Sequence, residues 1–410
     1  RRIMLHGPAG GLQQLGRGLR RSHGKTVCTV LDFVGHHRKE FRFDRRFRAL
    51  LGGTRRDVES AVAEGFPFLP AGCHMELDAV ARERVLESIR NAVPSRWTAK
   101  VEELRALARS RPDCTLADWL AATGCELEDL YHGGKCWSEL RCTAGLSIAP
   151  PGPHEETLRR ACGRLLHLDD RARIDTYRGW LTSPTPPDPA RLGVAERRLL
   201  RMLVAQLVDK AVEKGTSLTA GCDLVWRHPQ VRAELGELLA VLAERVEHLP
   251  VAWRGHPDVP LRVHARYTRL EILAALGVGA GAKVAPWQTG VYQAREARAD
   301  LLAFTLDKTS GGFSPTTRYR DHAISPTLIH WESQSVVRAD SETGRRYQEH
   351  ARRGWSILLF ARLRTSERAF YFLGPGTYVK HESELPMAVT WELEHPLPGD
   401  LFGLFAAAVA

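Results

Sequence analysis

The sequence contains no G-x-x-x-x-G-K-S/T loop and no D-E-x-H or D-E-A-D tetrapeptide, so nothing in it cradles a triphosphate or holds the accompanying magnesium. Its eight cysteines include no C-x-x-C pair, which excludes the usual zinc-finger spacings and argues against a disulfide framework. No apolar run approaches the roughly 20 residues of a membrane span, and the first residues lack the apolar region of a signal peptide. Buried free thiols in a reducing cytoplasm are therefore expected. What the chain does have is length and positive charge. Its 410 residues leave room for two or three domains, and a formal net charge of +10 favours an anionic partner, of which nucleic acid is the commonest.

One stretch, Leu12 to Val34, carries the most specific pattern. Gln13, Gly16, Arg17 and Arg20 stand in a Q-x-x-G-R-x-x-R spacing at the start of a predicted helix. After Gly24 the residues Val27, Cys28, Val30, Leu31, Phe33 and Val34 are apolar almost without interruption, as in a parallel strand covered on both faces. Two arginines one turn apart present always-charged forks that can reach a nucleotide's terminal phosphate across a cleft. This order of motif, basic turn and strand resembles the sixth motif of superfamily-two helicases and the last strand of their second RecA-like domain. The resemblance implies that Arg17 and Arg20 act as arginine fingers, with Gln13 and Gly16 in the same ATP-associated motif. It also implies ATP and Mg as cofactors, but only of a motor-complete protein. Alone, the chain is not expected to hydrolyse ATP or to need a cofactor. Arg1 to Gly11 fit no pattern, and a truncated start is expected.

The expected organisation is α+β. Residues 1–38 form a remnant of the second RecA-like domain, 39–182 a helical region, 183–190 a proline-rich linker, 191–255 a second helical region and 256–410 a β-rich domain, either an antiparallel sheet or a small barrel. Phe43, Phe47 and Leu50 repeat at helical spacing while Arg42, Arg45, Arg46 and Arg48 fill the other faces. These arginines either contact phosphates or lay their stems over the helix's own core contact. Thr54 is a candidate cap for a helix ending at Gly65, and Asp78 for one carrying Val85, Ile89 and Val93. From Thr115 to Gly145, helix, glycine turn and helix permit a DNA-reading helix-turn-helix, as any small bundle would. Cys125, His132, Cys136 and Cys142 cluster there without a zinc spacing, so no metal ligands are assigned. Two long helical patterns between Ala195 and Val246 break at His228-Pro229, and Gly277 to Gly281 form a flexible loop after a helix-like run.

From Gly290 onward strand signals dominate: Leu301 to Leu306, Leu328 to Ser335, Ser356 to Leu363, Ala369 to Leu373 and Ala388 to Leu393, with Gly374-Pro375-Gly376 as a turn. Arg318 and Arg320 flank Tyr319, a mixture suited to phosphate and base contacts. On the strand that follows, His330, Glu332 and Gln334 share one face by the period of two, which is either a ligand site or the hydrogen-bonded edge of a core carrying Trp331. Asp300, Asp307, Lys308 and Glu332 invite comparison with a magnesium-dependent nuclease, but the D…(D/E)-x-K pattern does not close.

The segments FRFDRRFRALLGGTRR, GFPFLPAGCHMELDAVARERVL, FSPTTRYRDHAISPTLIHWESQS, TGRRYQEH and FYFLGPGTYVKHE resemble an uncharacterised domain found at the C-terminus of bacterial DEAD/DEAH-type helicases and type III restriction-like proteins. The resemblance covers about Leu12 to Pro398. It implies a bacterial, cytoplasmic, DNA-binding protein of DNA processing or phage defence, with upstream motor and nuclease domains as partners and no membrane association. A metal-dependent nuclease or modified-DNA reader in the β-rich region, or a protein-interaction module, is the alternative.

Overall fold

The computed structural model describes residues 55–66, 74–91, 93–146, 148, 151–246, 249–253, 255–306 and 321–407, together with Phe43, Phe47, Leu51 and Leu69. Gln13, Gly16, Arg17, Arg20, Arg42, Arg45, Arg46, Arg318, Tyr319 and Arg320 lie outside the described residues, as does the expected RecA-like remnant.

Helix starts follow local chemistry. Helix α1 (Arg55–Glu64) packs Val58 and Val62 on Phe43 and Phe47, and on Val85 and Ile89 of α2 (Ala79–Asn91). Asp78 caps α2, accepting from the Ala81 N–H at 2.8 Å. After α3 (Trp97–Ser110), Thr115 and Asp118 close a reciprocal capping box on α4 (Leu116–Thr123), which Gly124 ends in the left-handed conformation at φ +68°. Next come α5 (Leu127–Leu130) and α6 (Trp137–Ala144). The first turn of α6 is buried, and the Glu234 carboxylate accepts from the Trp137 and Ser138 N–H groups at 3.0 Å each. A recognition helix needs that end free for a DNA groove, and here it is sealed.

Helices α7 (Glu155–Cys162), α8 (Arg171–Thr182), α9 (Val194–Val208), α10 (Leu218–Trp226) and α11 (Pro229–Glu244) complete the helical region. Where the sequence pattern reads as two helices there are three. Ser217 opens a new one by accepting from the Ala220 N–H at 3.1 Å. One apolar core includes Ile174 and Tyr177 before the proline-rich stretch and Leu200, Leu203 and Leu207 after it. Arg232 and the Trp226 indole donate to the Ser183 carbonyl at 2.9 and 3.2 Å, strapping the start of that stretch to the bundle.

The C-terminal region confirms the α+β class but corrects the sheet. A short pair, β1 (Val251–Ala252) and β2 (Arg262–Val263), precedes β3 (Arg266–Thr268) and α12 (Arg269–Ala275). The remaining elements are β4 (Val291–Ala294), β5 (Ala299–Thr305), β6 (His322–Ser325), β7 (Leu328–Glu332), α13 (Glu342–Glu349), β8 (Ser356–Arg362), β9 (Ala369–Glu382), β10 (Ala388–Leu393) and α14 (Gly399–Ala407). Eight strands form one open sheet in the order β4-β5-β8-β9-β10-β7-β6, with β3 also on β9. It is neither a purely antiparallel sheet nor a small barrel, because β5 and β8 run parallel and β4 and β6 lie at opposite ends of the order. Gly374-Pro375-Gly376, expected as a turn, lies inside β9. Gly374 takes φ +92° and Gly376 is in such close approach to Leu359 that no Cβ fits, so the strand bends and passes from pairing with β8 to pairing with β10.

The sheet has two unlike faces. Leu302, Phe304, Ile357, Leu359, Ile329, Trp331, Val389 and Trp391 pack on Tyr347 of α13 and Phe405 of α14. On the other side Leu301, Ala303, Leu358, Phe360, Phe370 and Phe372 pack beneath α12 and Tyr267. Among the described residues that second layer does not extend over β10, β7 and β6. A buried polar network joins the sheet's second layer to the bundle. Glu271 accepts from Arg173 at 3.2 Å and meets His167 Nε2 at 2.6 Å, while Asp169 accepts from the Arg266 N–H at 2.9 Å. Burial alone raises the Glu271 carboxyl, but His167 and Arg173 overcome it and hold the group at about 2.

Candidate nucleic-acid interface

Among the described residues no apolar layer packs on the outer face of β6, β7, β10 and the end of β9, where strand alternation sets His322, His330, Glu332, Lys380 and Glu382 beside Leu328 and Ala388. Register turns this alternation into rows. His322 pairs with His330, His330 with Thr390, and Thr390 with Lys380. Beside that row, Glu332 pairs with Ala388 and Ala388 with Glu382. The imidazoles of His322 and His330 stack with centroids 4.8 Å apart and planes 29° apart. His330 Nε2 stands 3.9 Å from Glu332 Oε1, and Lys380 donates to Glu382 at 2.6 Å. The buried Asp321 anchors the edge by accepting from the Glu332 N–H at 2.9 Å.

Burial, and then the neighbouring His322, push the His330 imidazole below the usual histidine range, so it stands neutral at pH 7. Glu382 is pulled down by its bond from Lys380 and by that ammonium's charge. The face therefore offers two stacked imidazoles, one ammonium and two carboxylates. It can hydrogen-bond and stack, and it is not strongly basic.

Of the residues that the sequence singles out, His330 and Glu332 do share this outer face, half-buried. Gln334 does not stand on the strand. The strand ends at Glu332 because Ser333 turns inward to bond with Met387, and Gln334 is exposed in the turn that follows. Trp331 is a core residue, 3% exposed and edge-on to Tyr347 at 5.6 Å, so it does not stack a ligand. Asp300 faces the opposite side of the sheet from Glu332, fully buried and gripped twice by Arg346 at 2.6 and 3.2 Å. These two carboxylates cannot share a metal ion. Among the described residues no three histidine, cysteine or acidic side chains converge on one point.

His322, Thr390, Lys380 and Glu382 escaped the sequence reading. Alternation in TYVKHE and AVTWEL marks their outward faces, but only the strand register brings them beside His330. Gly277 to Gly281 offer no anion cradle either, since the Val278 and Gly281 carbonyls accept from Arg201 at 2.9 and 2.8 Å.

Charge is unevenly placed. Twelve Lys and Arg against three Asp and Glu fall within residues 1–54, so +9 of the total +10 precedes Arg55 and the remainder is close to neutral. No helix among the described residues is long and apolar enough to cross a membrane.

Fold and face together define an α+β protein whose mixed sheet, among the described residues, is covered on both sides at one end and on one side at the other. Residues 261–405, from Leu261 beside β2 to Phe405 in α14, match a family described as a domain of unknown function, DUF3427. No curated protein matches the chain.

Proposed function

We propose that this chain is the C-terminal portion of an ATP-dependent, helicase-type DNA-processing or phage-defence protein, in which it holds DNA without itself turning over ATP. The observation that carries the reading is the concentration of +9 in the first 54 residues, the stretch that also contains Gln13, Gly16, Arg17 and Arg20 in their Q-x-x-G-R-x-x-R spacing. Dense cationic charge on one stretch binds phosphates through counterion release, whatever the base sequence. The family match over residues 261–405 is consistent with the helicase-associated domain that the sequence resembles. In a motor-complete protein, Arg17 and Arg20 stabilise charge developing on ATP's terminal phosphate, with Mg bound elsewhere in the motor.

Anisotropy titration of duplex and single-stranded probes over a salt series tests this reading. Affinity should fall steeply with salt, and no binding even at about 50 mM salt overturns it. For the finger role, Arg17→Ala in a motor-complete version should cripple ATP turnover, and unchanged turnover removes the assignment. A second reading, a protein-docking role for the β-rich region, is favoured by one specific fact. The open sheet face carries Glu332 and Glu382 against the single ammonium of Lys380. Under that reading, Lys380→Glu leaves DNA affinity unchanged.

A further inference from the structure

The arginines around the sheet's second layer are of two kinds. Arg173 and Arg266 each stand against a carboxylate, Glu271 at 3.2 Å and Asp169 at 3.1 Å, which neutralises their charge within the protein. Arg269 and Arg362 are half-buried too, yet among the described residues neither has an ion-pair partner. Arg269, the first residue of α12, gives Nη1 to the Trp287 carbonyl at 3.2 Å and to the Gln288 carbonyl at 3.4 Å. Arg362, the last residue of β8 and beyond its covered centre, gives Nε to Thr305 Oγ1 at 2.9 Å and Nη1 to the Glu367 carbonyl. These acceptors are all neutral. They orient each guanidinium without cancelling its charge.

Aromatic rings bring the two cations together. The Arg362 guanidinium carbon stands 4.6 Å from the ring centre of the buried Phe370, and that of Arg269 stands 5.4 Å from the same centre and 5.3 Å from that of Trp287. Stacked in this way the forks are fixed in direction and remain cationic. Burial lowers the proton affinity of both, and the neighbouring Arg269 charge lowers that of Arg362 further. Glu367 offsets this in part, but burial pushes its own carboxyl up and Arg266 and Arg364 draw on it as well. Each guanidinium keeps an Nη2 group that makes no hydrogen bond, and neither Nη2 is sealed from solvent. Like charges held together with open donors suit an added anion. Two such forks match a tetrahedral, multiply charged oxyanion better than a carboxylate, for which one fork suffices.

We propose that Arg269 and Arg362 together hold one phosphate group, at the ends of β5 and β8 where Thr305 pairs with Arg362. A backbone phosphate of DNA and free phosphate offer the same chemistry. Where the phosphate is DNA's, the inference rests on the DNA-holding reading and gives DNA a contact within residues 261–405, in addition to the basic first stretch. The site is on the second-layer side of the sheet, not on the open face of the histidine row.

The test uses the full chain. In the salt series the double variant Arg269→Gln/Arg362→Gln should bind DNA more weakly, with a log–log salt slope shallower than wild type by about 1. Each single variant should give no more than that change, because both cations serve one phosphate. Separately, inorganic phosphate at matched ionic strength should raise the wild-type unfolding midpoint more than that of the double variant. A shallower slope assigns the phosphate to DNA. A lost phosphate response with an unchanged slope assigns it to free phosphate, and either result supports the site. Neither change, in a double variant that unfolds cooperatively, overturns the proposal. So does a slope change of about 2 built up additively from the single variants, which means two separate phosphates. If the wild type binds no DNA, the DNA-holding reading falls and the phosphate response alone decides this site. If the double variant does not fold, phenylglyoxal modification of the wild type with peptide mapping gives the answer. Phosphate or oligonucleotide should protect Arg269 and Arg362 together, and equal modification with and without them overturns the proposal.

Discussion

The two ends of the sheet differ in what covers them, and their sequences differ accordingly. In β5 every residue from Ala299 to Thr305 is buried, and in β8 the five central residues are. These strands pair in parallel and have a hydrophobic layer on each side, so their sequences, ADLLAFT and SILLFAR, are nearly continuously apolar. In β7 burial alternates, with Ile329 and Trp331 inward and Leu328, His330 and Glu332 outward. A strand pressed from both sides has no residue to spare for chemistry. A strand pressed from one side keeps half of its side chains for solvent or a ligand, and the histidine row stands there.

Adjacent substitutions separate the two ends most strongly. Trp331→Ala should destabilise the protein by about 3–5 kcal/mol in urea unfolding, whereas His330→Ala on the same strand should cost under about 1 kcal/mol. At the double-covered end, Leu358→Ala and Leu359→Ala point to opposite faces, and each should cost about 2–5 kcal/mol. A mild effect from either leucine would mean that one layer is not formed. Arg173→Ala should cost about 3–5 kcal/mol, since it leaves Glu271 buried beside His167 without its cation. The unfolding transition of that variant should also split, as the network joins the bundle to the sheet's second layer.

A smaller effect should come from pH. His330 and His350 are both held below the ordinary histidine value, chiefly by burial. His350 is fixed as the neutral ring, because its Nδ1–H donates to Trp355 O at 3.1 Å and its Nε2 accepts from the Tyr378 N–H at 3.2 Å. The unfolded chain takes up protons more readily than the folded one, so this stabilisation is complete only well above the unfolded histidine value of about 6.5. It should be lost progressively as pH falls through the histidine range. Unfolding free energy should therefore decline between about pH 7 and pH 5, and His330→Gln should remove the outer-face share of that decline while His350→Gln removes the inner. The smallest stability change is expected for Lys380→Ala, within about 0.5 kcal/mol, and in the DNA titration it should alter the salt slope less than Arg42→Glu does.

Much of the local structure was legible. The Asp78 cap, the Val85 and Ile89 stripe and the span of β10 all follow from contacts within a few residues along the chain. The passage of β9 through Gly374-Pro375-Gly376 was not legible, because glycine and proline mark a turn unless a neighbouring strand requires close approach. The Leu359 side chain against Gly376 supplies that requirement. Gln334 continued the period of two on paper. The Ser333 hydroxyl, bonded to the Met387 N–H just before β10, ended the strand first.

By itself the sequence determined which segments are apolar on one face or on both, where α2 begins, that +9 of the charge lies before Arg55, and that no phosphate loop is present. These are properties of neighbours in the chain, readable from period and composition. Tertiary structure alone decided which polar residues meet. It set His322 on His330 through strand register and sent Asp300 and Glu332 to opposite faces. Such meetings depend on pairings and packing between residues far apart along the chain, where each strand register or helix contact is fixed by burying a whole face at once.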